Sequence, residues 1–344
     1  MGDGGVPADL RQAQARVTFS PNDAEPEGGA RLAAAPIAGR VGVLPWWRTP
    51  TGRRFAFGYT LLSPAVLYVL LLVGAPFLFS LYLALSDATV GDPIAAFIGL
   101  ANFAAALESP TFYVALRNSV VFTVVAFIFK SLLGTTLAFL LLQPFRGKKL
   151  VRGLVVIPFT VPIAISVLGW KWMYDSQFSV INWALSRLGL IGAYGTAGWP
   201  VWLGEPHLAL PAIIAVNVWR SFPFTAIVLL AGFTAVPQEV IDAAKVDGTT
   251  FLQRFRHVVV PMIAPILFVG LLFDTVFTLS DISVVLLLTN GGPDNATQIL
   301  PTLAYQVGIL AGSLGRGAAI SLFLFPLLLP AMILLLRNLR RREW

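Results

Sequence analysis

Six long apolar runs, separated by short polar stretches, organise the chain from Phe57 onward. They cover about residues 57–86, 119–143, 153–174, 208–234, 262–288 and 317–336. Runs of about 20 or more apolar residues are long enough to cross about 30 Å of hydrocarbon as helices. The pattern predicts an all-α membrane protein with six transmembrane helices. Prolines punctuate the runs at Pro64, Pro76, Pro158, Pro162, Pro211, Pro223, Pro265, Pro326 and Pro330. Such kinks are tolerated in a membrane when neighbouring groups satisfy the freed carbonyls. No internal repeat is evident.

One polar interruption has a pattern of its own, the stretch EVIDAAKVDGTTFLQRFRHVVVP at residues 239–261. Pro237 can open a helix because its missing N–H is not needed in the first turn, and Glu239 and Asp242 sit where the helix dipole favours negative charge. Asp247-Gly248 then ends that helix, glycine adopting a backbone conformation that a side chain would oppose. Thr250 with Gln253 fits a capping box for a second helix, whose Phe251, Leu252, Phe255, Val258 and Val259 fall largely on one face. Pro261 is expected to break that helix before the fifth span. The first helix is about ten residues long and too short to be stable alone in water, so something must pack on it. Two readings stand on the residues alone. An amphipathic hairpin can lie in lipid headgroups; against that, Ala243 and Ala244 with Gly248 permit close backbone approach, which suits docking to protein.

Polar residues inside the spans form a second constellation. A charge near the bilayer centre costs about 2.5–3.5 kcal/mol even on the lenient insertion scale, so these groups must face protein or water. Asp274, Thr278 and Asp281 fall at i, i+4 and i+7 of the fifth run, a polar stripe on one helical face. Such a stripe can line a polar pathway across the membrane, or can pair structurally with Lys130 of the second run or Arg220 of the fourth. For Asp274 and Lys130 the structural pairing is preferred; for Asp281 both readings stay open. Asn217 and Arg220 flank Trp219 near Pro223, where unwound backbone could line a cavity. The loop at 175–207 carries Trp183, Tyr194, Trp199 and Trp202, which suit a membrane interface better than a ligand-stacking site.

Composition and charge narrow the class. Of 344 residues, 57% are hydrophobic and 12% charged, against roughly 25% charged in soluble domains. The net charge of +7 would suggest nucleic acid only if basic residues clustered on a soluble face. Here they sit at the ends of apolar runs instead. One side collects Arg48, Arg53, Arg54, Arg146, Lys148, Lys149, Arg152, Lys245, Arg254, Arg256, Arg337 and Arg340–Arg342; the other has Arg117, Lys171, Arg187 and Arg316. By the positive-inside rule both termini and the 239–261 stretch are cytoplasmic. With no cysteine and only two distant histidines, His207 and His257, no metal site is expected, and no catalytic set either. No G-x-x-x-x-G-K-[ST], G-x-S-x-G or H-E-x-x-H motif occurs, so the chain is not expected to be an enzyme.

The spacing of the hairpin resembles a known family. Asp242-Ala243-Ala244, three residues, Gly248, nine residues, Val258, one residue, Val260-Pro261 is similar to the E-A-A-x3-G-x9-I-x-L-P loop of permease subunits in binding-protein-dependent ABC importers. The departures are Asp for Glu at 242 and Val for Ile and Leu at 258 and 260. Pro237-Gln238-Glu239 and Val246-Asp247-Gly248 look like the sugar-permease branch, related to the maltose and glycerol-phosphate importers. Further echoes are IGLANF (98–103), LRNSVVFT (116–123), VWRSFPF (218–224), LTNGGP (288–293) and GRGAAIS (315–321).

The resemblance implies that the hairpin is a coupling helix entering a cleft on an ATPase subunit, with Glu239, Asp242, Ala243, Ala244 and Gly248 in contact. It also implies a second permease subunit as heterodimer partner, two ATPase subunits that bind ATP and Mg, and an extracytoplasmic substrate-binding protein or lipoprotein. This chain itself needs no cofactor, contacts membrane lipid and not nucleic acid, and belongs in the bacterial inner membrane. The cargo is a carbohydrate such as a disaccharide, polyol or sugar phosphate, along a pathway whose candidate residues are Asn217, Arg220, Asp274, Thr278 and Asp281. The loop after Asn290 is implied to face the receptor.

The organisation expected is a disordered cytoplasmic tail (1–55), a transmembrane domain (56–336) with its coupling loop at 235–261, and a basic cytoplasmic C-terminus (337–344). Two rival classes remain: an ion-coupled secondary transporter using Lys130, Asp274 and Asp281, and a membrane scaffold that uses the hairpin only to bind a partner.

Overall fold

The computed structural model describes residues 50–92, 95–196 and 198–340. Residues 1–49 of the expected tail and 341–344 of the expected basic C-terminus lie outside the described residues. The chain divides into two units, Met1–Pro64 and Ala65–Trp344. The described part of the first is the opening of helix α1 (Pro50–Val69), which starts earlier than the 55/56 boundary expected from sequence.

After a π-helical turn at Leu70–Gly74 come α2 (Ala75–Ala84), the short α3 (Ala101–Glu108) and the long α4 (Pro110–Leu142). Then follow α5 (Lys148–Thr160), α6 (Ile163–Met173), α7 (Val180–Arg187) and α8 (Pro206–Ala235). The hairpin is α9 (Gln238–Val246) and α10 (Phe251–Arg254), and α11 (Val260–Leu279) and α12 (Ser283–Leu288) follow it. Last come α13 (Leu300–Tyr305), α14 (Leu314–Leu322) and α15 (Leu324–Arg340). Among the described residues no β-strand occurs, only a single bridge between Ser86 and Phe97.

Four helical runs are long and apolar enough to cross a membrane, Phe57–Ala84, Pro110–Leu142, Pro206–Ala235 and Phe251–Leu288. The third expected span is a broken pair, α5 and α6, bent by 93°, which makes a fifth if counted as one. Pro162 causes the break: it forces Val161 before it into extended backbone (φ −65°, ψ 135°) and cannot continue the α5 ladder. The sixth expected span falls on the shorter apolar helices α14 and α15, interrupted at Phe323.

Helix α8 is the centre of the bundle. Over half of its most apolar window is buried, whereas none of the corresponding window of Phe57–Ala84 is. It lies along α4, and Gly134 sets their separation: a Cβ there would come within 3.0 Å of the Thr225 side chain and 3.1 Å of the Ala226 nitrogen. Small residues permit such close approach where helices associate in lipid. One core joins Phe122, Ala126, Val167, Ile213, Val216, Val284 and Val285 from α4, α6, α8 and α12. A second, towards the hairpin, joins Ala138, Leu229, Phe233 and Ile263, with Phe139, Phe255 and Val259 against it. At the opposite end Asn102 is buried and donates Nδ2 to the carbonyls of Ala84 (3.0 Å) and Ser86 (2.8 Å), satisfying acceptors that the end of α2 leaves free.

Candidate functional site

The intramembrane polar residues converge on one cavity of ≈ 390 Å³ between α4, α5, α8 and α11. Lys130, Asn217, Arg220, Asp274, Thr278 and Asp281 all line it, with Phe159, Ser221, Phe224 and Phe277. Lys130, on α4, is 1% exposed; its Nζ donates to Thr278 Oγ1 (2.7 Å) and stands 3.3 Å from Asp274 Oδ1. Thr278 in turn donates Oγ1 to the Asp274 carbonyl at 2.6 Å. The cation therefore has both a counter-ion and a neutral acceptor, as a buried charge requires.

Asp281 is held differently. Helix α11 ends at Leu279, so Asp281 lies in the break before α12 and not on the continuous stripe that the i, i+4, i+7 spacing suggests. Its Oδ1 accepts from the backbone N–H of Ser283 (2.9 Å), the local bond by which aspartate favours a turn. Its Oδ2 accepts from Asn217 Nδ2 of α8 (3.0 Å). Among the described residues, the buried Asn217 Oδ1 and Arg220 Nε have no hydrogen-bond partner. The wall thus presents unfilled donor and acceptor capacity beside aromatic faces, Phe159 and Phe224 being stacked at 5.7 Å. The formal charges balance, Lys130 and Arg220 against Asp274 and Asp281.

The hairpin is the second element. Helix α9 spans nine residues, and Gly248 (φ +75°) makes the left-handed turn that a side chain would oppose. The Thr249 hydroxyl closes the turn on the Ala244 carbonyl at 2.6 Å. The capping box forms: Gln253 N–H donates to Thr250 Oγ1 (3.4 Å), and Gln253 Oε1 accepts from the Thr250 N–H (2.9 Å). Ala244 is buried, while Glu239, Asp242 and Ala243 are exposed, as are Val246 (88%), Phe251 (62%) and Leu252 (69%). Asp242 Oδ1 accepts from Lys245 Nζ (2.7 Å) and Gln238 Nε2 (3.0 Å). The Lys245 hydrogen bond first, then that of Gln238, hold the Asp242 carboxyl below the usual carboxylate range.

Pro261 does not break the second helix as expected. A π-helical turn at Phe255–Val259 carries α10 directly into α11, and Pro261 falls in the first turn of α11, where a missing N–H is tolerated. The hairpin is thereby a direct extension of the helix that bears Asp274 and Thr278. Aromatic contacts reinforce the connection: Phe255 meets Phe139 of α4 (5.2 Å) and Phe233 of α8 (6.1 Å), and Phe139 and Phe233 stack at 4.9 Å.

Of the outer-loop aromatics, Trp199 donates its indole N–H to the Ser176 carbonyl (2.8 Å) and Trp202 to Asn182 Oδ1 (2.6 Å), so both polar ends are used internally. The 290–299 loop is pinned to the start of the second expected span. Asn118 Nδ2 donates to the Ala296 carbonyl (3.0 Å), and Ser119 Oγ accepts from the Leu300 N–H (2.8 Å). Sequence reading missed these two anchors and the cavity's Phe159, Ser221, Phe224 and Phe277. Asn118 and Ser119 lie in the LRNSVVFT stretch and Ser221 and Phe224 in VWRSFPF, so their segments carried a signal without a role for each residue, whereas Phe159 and Phe277 are single apolar positions within apolar runs.

Residues 130–343 match the family described as binding-protein-dependent transport system inner membrane component. The trehalose/maltose transport system permease protein MalF of Thermococcus litoralis is 33% identical over 292 residues, 85% of this chain and 96% of that protein. The diacetylchitobiose uptake system permease protein DasB of Streptomyces coelicolor is 27% identical over 98% of this chain and 95% of its own length. In fold, the chain is similar to a subunit of a bacterial ABC transporter involved in import of the acidic polysaccharide alginate, with TM-score 0.67 and 22% identity over 85% of this chain and 96% of that one. The chain belongs to the binding-protein-dependent transport system inner membrane components, the permease subunits of ABC importers. Within that family it is of the sugar-permease type and is a multi-pass integral membrane protein.

Proposed function

We propose that this chain forms one half of the translocation pathway of an ATP-driven importer for a neutral carbohydrate in the bacterial cytoplasmic membrane. A second permease supplies the other half, two ATPase subunits bind ATP and Mg and dock on the coupling helices, and an external binding protein delivers the cargo. Both termini and the α9–α10 hairpin face the cytoplasm, in accord with the distribution of Lys and Arg. The carbohydrate part of the reading is supported by relatives whose names specify trehalose/maltose, diacetylchitobiose and sulfoquinovosyl glycerol transport; the absence of net charge on the cargo rests on the cavity's own balance of charges.

The observation that carries the proposal is the hairpin's double character. Its outer surface exposes Ala243, Val246, Phe251 and Leu252, an apolar face for a protein cleft, while Phe255 ties it to helices α4 and α8. Glu239 and Asp242 supply polar contacts at the rim, Ala244 packs inward, and Gly248 makes the turn. Motion of an ATPase against this face passes directly into α11, and so to the cavity wall. Asn217, Arg220, Asp281 and Thr278 offer hydrogen bonds to sugar hydroxyls there, and Phe159, Phe224 and Phe277 offer apolar faces. Equal numbers of cationic and anionic groups favour a cargo without net charge. Asp274 serves by holding Lys130.

An ion-coupled transporter would use the same buried charges but gives the exposed hairpin face no role. The test is purification of the tagged chain from its native membrane in mild detergent, with mass spectrometry of co-eluting proteins. An ATPase and a second permease should accompany the wild type, and Gly248→Pro should lose the ATPase, since proline cannot adopt the positive φ of this turn. Elution of the chain alone from wild-type membranes would overturn the proposal.

A further inference from the structure

A separate groove of ≈ 370 Å³ runs between α4, α5 and α8, lined by Leu137, Leu141, Val155, Ala226, Leu230 and neighbouring apolar side chains, with Arg152 as its one charged lining residue. Its two ends are chemically unlike. Leu141 and Thr234 belong to the last turns of α4 and α8, and Arg152 lies near the start of α5, so the three mark one end. Pro223 marks the other, eleven residues up α8 from Thr234, or about 16 Å at 1.5 Å per residue. Between the two ends the α8 lining residues, Ala226, Ile227, Leu230 and Ala231, are all apolar.

At the Arg152 end the cations are uncompensated. Arg146, Lys149 and Arg152 have no ion-pair partner among the described residues. The segment from Gln143 to Thr160 contains no acid. Lys148 turns inward, its Nζ 3.3 Å from the Leu142 carbonyl, while Arg152 and Lys149 are exposed. An apolar helix of another protein seated here would fill the groove yet leave these charges unanswered. A molecule with an acyl chain and an anionic head answers both, and basic pockets on the cytoplasmic side of helical bundles are suited to such head groups.

We infer that this groove is a binding site for an anionic phospholipid, its acyl chain between α4, α5 and α8 and its phosphate on Arg152 and Lys149. The inference rests on the sidedness adopted above, which puts the basic end at the cytoplasmic leaflet. The lipid would brace the end of α8 where that helix leads into α9, and so would stabilise the stalk of the hairpin from behind.

The test uses the tagged chain with whatever subunits accompany it, returned to phosphatidylcholine bilayers containing a minor fraction of phosphatidylglycerol, re-extracted, and its retained lipid quantified by mass spectrometry. Wild type should be enriched in phosphatidylglycerol relative to the bilayer. Each of Arg152→Gln and Lys149→Gln should lower the enrichment about fivefold, equivalent to ~1 kcal/mol per basic residue near a membrane surface. Ala231→Phe, which keeps the charges and fills the groove, should lower it too, whereas Arg187→Gln at the opposite end should not. Equal enrichment in wild type and all variants overturns the proposal, as does a photo-reactive side chain at Val155 that captures polypeptide in place of lipid. ATPase co-elution reports separately on the importer reading, so failure of one is distinguishable from failure of the other.

Discussion

Phe255, at the base of the hairpin, sits edge-on against Phe139 of α4 with ring centroids 5.2 Å apart. The two residues are far apart in sequence, and their contact joins the hairpin, proposed above as the ATPase-docking segment, to the helix that carries Lys130. With Phe233, and with Phe251 against Phe139, they make an aromatic joint that packs the hairpin onto the bundle.

Phe255→Ala should therefore loosen the joint without removing the docking face. Half-buried aromatic contact of this kind contributes about 1–2 kcal/mol. The expected result is an ATPase that still co-elutes but whose hydrolysis no longer responds to cargo-loaded binding protein. Intact stimulation would show that the joint does not transmit.

Lys130 and Asp274 should behave as a unit. Removing one partner of a buried pair costs about 3–5 kcal/mol because it strands the other charge, whereas replacing both with apolar residues is often neutral. Lys130→Met and Asp274→Leu should each lower the melting temperature of the purified complex, and the double variant should recover most of the loss. A double variant as unstable as the sum of the singles would refute the coupling.

Asp281 and Arg220 should matter to cargo more than to folding. A hydrogen bond to a charged group is worth about 1.5–3 kcal/mol. Arg220→Gln and Asp281→Asn are expected to weaken half-saturation for uptake by about tenfold or more in an assembled complex. Unchanged uptake in both would remove them from the pathway.

Gly134 should tolerate no bulk. Overpacking a tight helix contact costs about 1–3 kcal/mol, and the neighbours here include backbone of α8 that cannot step aside. Gly134→Leu should reduce the yield and melting temperature of the complex, with Gly153→Leu, where nothing lies near, as the tolerant comparison.

The Asp242 carboxyl should titrate below the ordinary aspartate value of about 3.9. Its folded value is depressed, by the Lys245 hydrogen bond first, so its stabilisation of the hairpin is present above the unfolded value and lost as pH falls through the lowered one. Lys245→Ala should raise the midpoint, read by NMR of the labelled carboxyl. An unmoved midpoint would discard that cause.

Much of this arrangement was legible in the residues. Apolar run length located four of the six expected spans as long helices, the third and sixth being broken, and Pro237, Gly248, Thr250 and Gln253 located the hairpin through local backbone geometry. The polar set around the cavity was also legible, since a buried charge must find company. Its geometry was not: the pairing of Lys130 with Asp274 joins residues 144 positions apart, and Asp281 leaves the helical stripe because its own carboxylate bonds Ser283 and ends the helix. Nor did the sequence distinguish Pro162, which breaks a span by 93°, from Pro261, which a π-helical turn absorbs. Both outcomes depend on what packs alongside. The Phe139–Phe233–Phe255 joint was invisible for the same reason: the amphipathic pattern marked Phe255 as facing inward but not what it meets, and Phe139 and Phe233 sit in segments that read simply as apolar.

The central claim is that ATP hydrolysis on partner subunits, transmitted through the hairpin, drives carbohydrate uptake through this chain. Its most direct test is uptake of a panel of neutral disaccharides and oligosaccharides by proteoliposomes holding the purified complex, with binding protein outside and ATP and Mg inside. Uptake that requires internal ATP, persists when proton and sodium gradients are collapsed, and is abolished by Gly248→Pro is the predicted result. Uptake driven by an ion gradient without ATP and unaffected by Gly248→Pro would contradict it.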